Sequence, residues 1–143
     1  MKPIIASLLL LITTIGICYG EALRDESELK KKCDEEAIKF FNSIIGNSGM
    51  RDELGMTIAT YTNHYNKKNN SCYIITTTNR LNKVDNNNNT IRVRELVDVN
   101  ENKIIGSSTY SVTTQEITSC SVKEKTCNSQ AEFDSLIMPY MTQ

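Results

Sequence analysis

From Thr57 onward β-branched and aromatic residues alternate with polar ones, and this period of two most restricts the folds open to the chain. Four segments carry it, 57–65, 71–79, 90–99 and 104–113, and each is expected to be a strand. In the third, Ile91, Val93, Val97 and Val99 point one way and Arg92, Arg94 and Asp98 the other, which predicts one buried and one solvated face. The connecting stretches "NKKNN" at 66–70, "RLNKVDNNNN" at 80–89 and "NENK" at 100–103 are rich in Asn, Asp and Lys. Such side chains bond to nearby backbone and tolerate left-handed geometry, so they suit turns between antiparallel neighbours. The expectation is a four-stranded meander.

Helices bracket it. Leu29, Cys33, Ala37, Phe40 and Ile44 recur at helical spacing behind a capping pair, Asp25 and Glu28, and Gly46 supplies a stop, so a helix is expected over about 25–45. Phe133, Leu136, Ile137 and Tyr140 make a second apolar stripe behind Ser129 and Glu132. Pro139 removes a backbone donor and restricts the residue before it, so this helix is expected only over about 130–138.

The N-terminal run from Ile4 to Ile17, preceded by Lys2 and followed by the polar tract from Glu21, reads as a secretory signal peptide over residues 1–20. Residues 21–143 are then expected to form a single α+β domain, secreted or periplasmic, with no membrane span once the leader is removed. A form lipid-anchored through Cys18 is disfavoured, because Ile17 stands where a lipobox wants a small residue. Beyond the leader lie Cys33, Cys72, Cys120 and Cys127. An even number in an exported chain indicates disulfides, whereas zinc would call for shorter pair spacings or more than the lone His64. In a meander, Cys33 on the early helix and Cys72 after the first turn share one end of the sheet. The fourth strand carries Cys120 away from them, so the expected bonds are Cys33–Cys72 and Cys120–Cys127.

A long helix followed by four antiparallel strands suggests an α+β roll curling around the helix, similar in architecture to cystatin-like folds. The inhibitory string Gln-x-Val-x-Gly of cystatins does not occur, so protease inhibition does not follow. The segments "HYNKKNNSCYI", "LVDVNENKIIGS" and "CNSQAEFDSLIMPYM", within residues 62–141, resemble a group of small exported bacterial proteins. That resemblance implies an exported folded domain and carries no activity with it.

Chemistry is sparsely provided for. Sixteen Lys and Arg against 17 Asp and Glu leave a net charge of −1, which argues against a nucleic-acid or polybasic membrane binder. The single histidine, His64, has no free cysteine or serine elbow to serve, no pair of carboxylates is singled out by spacing, and phosphate-cradling glycine loops are missing. "DVNEN" lacks the central Gly and distal Glu of a calcium loop and reads as a hairpin turn. No catalytic residue, metal or other cofactor is therefore expected. A binding or inhibitory module fits best, ahead of an envelope structural or accessory protein and then a small hydrolase. Its expected binding edge follows from the meander, in which the first and third turns share an end. His64, Tyr65, Lys67 and Lys68 would then stand beside Asn100, Glu101 and Lys103, facing an acidic protein or glycan surface.

Overall fold

The computed structural model describes residues 26–46, 51–52, 55–84 and 87–143, with side chains described outside 51–57 and 82–89. The signal peptide expected over 1–20 and the capping residue Asp25 lie outside the described residues. The chain divides into two compact units, Met1–Lys32 and Cys33–Gln143. In the first, residues 26–32 are helical, and Lys30 Nζ meets Glu26 Oε1 at 3.0 Å one turn away.

The second unit opens with helix up to residue 45, part of α1 (26–45), which ends where expected. Gly46 adopts φ 74° and donates its N–H to Asn42 O at 2.9 Å, closing the last turn in a conformation that costs glycine little. There follow β1 (Arg51–Asp52), β2 (Gly55–Asn66), β3 (Ser71–Val84), β4 (Asn87–Asp98), β5 (Lys103–Ser111), β6 (Ile117–Val122), β7 (Lys125–Thr126) and α2 (Gln130–Met141). Every strand pairs antiparallel with its sequence neighbour. β2 to β7 form a six-stranded meander, and the two-residue β1 adds a short seventh strand at its edge.

This corrects the four-stranded expectation, and the difference has a local cause. β6 reads "ITSCSV" and β7 is only "KT", too short and too rich in Ser, Thr and Lys to show a hydrophobic alternation. They are strands because each finds a partner: Ser108 lies opposite Cys120, and Ser121 opposite Thr126. The 80–89 turn is corrected too. β3 runs to Val84 and β4 starts at Asn87, so Asn- and Lys-rich sequence is held extended by continuous pairing between the strands. Only 85 and 86 remain between them, and these lie outside the described residues.

Nor does the sheet curl around one helix as the cystatin-like roll required. Ile74 and Val97 pack with Ala37, Phe40 and Phe41 of α1, whereas their neighbours Tyr73, Ile75 and Leu96 pack with Phe133 and Ile137 of α2. Adjacent strand residues point to opposite faces, so the two helices lie on opposite faces of one sheet. The face expected to be solvated is covered by α2. Arg94, on that face, donates to Asp134 Oδ1 at 2.7 Å and to Gln130 Oε1 at 3.2 Å, and its guanidinium lies 5.2 Å from the centre of the Phe133 ring.

α2 starts as its sequence indicates. Ser129 Oγ accepts from Glu132 N at 3.1 Å, and the Glu132 carboxylate accepts from Asn128 N at 2.7 Å. It does not stop at residue 138, because Pro139 stands in the last turn and the carbonyls there find other donors. Asn66 Nδ2 donates to Pro139 O at 2.9 Å and Tyr140 O at 3.1 Å, and Thr142 Oγ1 donates to Met138 O at 2.9 Å.

Cys33 is bonded to Cys72 and Cys120 to Cys127, with Cα separations of 5.2 and 5.0 Å. These are the pairs expected from the meander. The first ties α1 to β3, and the second closes the β6–β7 hairpin. The molecule is a small disulfide-stabilised α+β protein, and among the described residues no helix is long and apolar enough to cross a membrane.

Candidate functional site

In a meander of sequential strands, alternate turns share an end. The β2–β3, β4–β5 and β6–β7 turns must therefore lie together, and specific bonds hold them there. Asn100 Oδ1, in the second of these turns, accepts from Cys72 N at 2.7 Å and from Ser71 Oγ at 3.3 Å, at the root of the first. Lys123 N, in the third, donates to Ile105 O at 2.7 Å near the start of β5. The end of α2 joins them through Asn66, which is fully buried; its Oδ1 also accepts from Asn69 N at 3.0 Å, closing the first turn on itself.

Each turn uses one left-handed residue. Asn70 (φ 49°) and Asn102 (φ 50°) take it at positions where Asn is well suited, but in the third turn it falls to Lys123 (φ 53°). A lysine is held there by its own N–H bond to β5 and by the flanking disulfide, across which Cys127 N donates to Cys120 O at 3.1 Å.

The expected site residues are distributed as follows. Lys67, Lys68, Asn100, Glu101 and Lys103 are exposed at this end. Glu101 N donates to Asp98 Oδ1 at 3.1 Å, and the same buried carboxylate accepts from Ser71 Oγ at 2.9 Å, so the second turn is anchored from below. His64 and Tyr65 do not form one aromatic surface, since consecutive strand residues face opposite sides. His64 lies opposite Tyr73 on the α2 side, with Nε2 3.2 Å from Gln143 O; Tyr65 lies opposite Cys72 on the α1 side, its hydroxyl donating to Asn70 Oδ1 at 2.7 Å. Both rings buttress the turn. Gln143 O also accepts from Lys67 N at 3.1 Å, which brings the segment after α2 onto the first turn.

The sequence reading missed the third turn and what it adds. Val122, Lys123, Glu124 and Lys125 form one wall of a cleft whose other wall is Ser135, Leu136, Pro139 and Tyr140 of α2. Lys123 Nζ stands 5.3 Å from the centre of the Tyr140 ring, and Tyr140 meets Tyr73 edge-on at 5.2 Å between ring centres. A hydrogen bond to the Tyr140 hydroxyl, and then the electrostatic interaction with the same side chain, raise the Lys123 ammonium above its ordinary pKa. The signal available was the pair Cys120 and Cys127, whose spacing closes a hairpin around "VKEK".

The end thus gathers Lys67, Lys68 and Lys123 from the turns, and Lys103 and Lys125 from the starts of β5 and β7, against Glu101 and Glu124, in a chain whose net charge is −1. Among the described residues no group of three or more His, Cys, Asp or Glu is placed to hold a metal ion. Comparison of the chain with protein-family models, curated proteins and solved structures finds no match.

Proposed function

We propose that the protein is an exported binding module, secreted or periplasmic and related to the small exported bacterial proteins that its sequence resembles, and that its lysine-bearing end takes an acidic glycan or protein surface. The observation that supports this is that five lysines, in the turns and at the first residues of β5 and β7, lie at one end of a weakly acidic chain. The turns are anchored by Asn66, Asp98, Asn100 and the Cys120–Cys127 bond, so little backbone order has to be gained when a partner docks. Lysine side chains on such a frame supply strong but loosely oriented charge, which suits a repeating or extended anionic surface. Tyr140, beside Lys123, adds an apolar face against which a sugar ring or side chain can lie.

Binding to heparin and to polyglutamate, two polyanions of different backbone, tests this reading by titration at several salt concentrations. Lys68→Gln with Lys103→Gln should weaken binding to one or both polyanions by roughly tenfold and flatten its salt dependence. Val112→Glu with Gln115→Glu makes the same change in net charge at the opposite end of the sheet and should have little effect. Equal losses from the two double variants would show attraction to overall charge and would remove the binding end.

A further inference from the structure

β2 is the long strand nearest the edge of the sheet, and among the described residues little pairs with its outer side. β1 covers only Gly55 and Met56, and Gln143 closes over the far end at His64 and Lys67. Between them, among the described residues, no backbone group pairs with the outer side of Thr57 to Asn63, about 20 Å of strand. Exposed edges of this length are usually blunted by lysine, proline or a bulge, because their unpaired N–H and C=O groups template another strand. Here "TIATYTN" contains no charged residue and no proline, in a chain of which 23% is charged, and its pairing to β3 runs without a break. Ile58 is 56% exposed on the α2 side, and Thr60 and Thr62 are exposed beside it. The opposite edge, β7, is two residues long and carries Lys125.

We propose that a second copy of this chain pairs with this edge, β2 against β2, antiparallel about a twofold axis at Thr60. Two observations select a copy of the same chain. The edge is self-complementary: the axis sets Ile58 opposite Thr62 of the partner copy, Ala59 opposite Tyr61 and Thr57 opposite Asn63, with no like charges facing each other. Antiparallel pairing also sends the two lysine-bearing ends in opposite directions, so the groups that would repel are kept apart. The self-pairing buries exposed Ile58 of each copy against a β-branched threonine and completes the backbone ladder that the edge leaves open.

Sedimentation equilibrium of the chain purified from an exporting host should show a monomer–dimer equilibrium. Ile58→Lys with Thr62→Lys sets like charges opposite each other twice across the axis and should raise the dimer dissociation constant by roughly tenfold or more. Ile58→Lys with Thr62→Glu sets opposite charges there and should retain the dimer, while circular dichroism checks that both variants keep their fold. A monomer at every concentration overturns the proposal. So does a dimer indifferent to both double variants, and so does equal dissociation by both, which would mean that residues 58 and 62 do not face each other.

Discussion

At the scale of single residues, Asn66 does the most to place the lysine-bearing end. Its amide nitrogen serves two carbonyls at the end of α2 and its oxygen serves Asn69 N, all from a fully buried position. Replacing it with alanine would leave those groups without their partner in a place water does not readily reach. Asn66→Ala should therefore lower stability by roughly 2–3 kcal/mol in urea unfolding, most of it the cost of the orphaned polar groups. It should also increase amide exchange at Lys67 to Asn70. None of this could be read from the sequence, in which Asn66 is the first of a run of polar residues and looks like one more solvated turn position. His64 and Tyr65 show the converse. Their place at the root of the turn was legible, but alternation alone already forbade them from sharing a face.

At the scale of elements, β5 approaches β6 closely at Gly106. β5 carries an irregularity against β4: Leu96 faces Gly106 and Val97 faces Ile104, so Ile105 is the extra residue. Gly106 then lies so close to β6 that a Cβ would stand 2.8 Å from Val122 Cγ2 and 2.9 Å from Ser121 O. The second of these is backbone and can yield only if the strands part. Gly106→Ala should thus destabilise the fold by roughly 1–3 kcal/mol, read as a lowered thermal midpoint, and should disturb the hairpin that holds Lys123. The periodic elements were legible because burial imposed their patterns: α1 with its glycine stop, and the central parts of β2 to β5. β6 and β7 were not, since short polar strands exist only by virtue of a neighbour, and α2 outran Pro139 because Asn66, far away in sequence, supplies donors to its end.

At the scale of the whole molecule, two helices on opposite faces of one sheet make two separate apolar clusters, and the disulfides serve them differently. Cys33–Cys72 spans 39 residues and ties α1 to the sheet; Cys120–Cys127 spans 7 and stays within one hairpin. On the chain-entropy view, replacing the first pair by serine should cost about 4 kcal/mol and the second about 2.5 kcal/mol, so guanidinium unfolding of the two double variants should rank them in that order. Much of this arrangement followed from the sequence: once the strands are taken in order, the meander fixes which turns meet and which cysteines can. What stayed hidden was the covering of the second face, because Arg92, Arg94 and Asp98 look like a solvent-facing row, whereas Arg94 is satisfied by Asp134 and Gln130 beneath α2.

The strictly sequential strand order also bears on how quickly the molecule can assemble. Every strand pairs with the one just before or after it, so each hairpin closes a short loop and gives up little chain entropy before its contacts form. Two distant closures remain: α1 onto β3, and α2 onto the β2–β3 turn. The first becomes a local event once Cys33 and Cys72 are joined. The docking of α2 is then the step with the longest search, and the lysine-bearing end is completed with it.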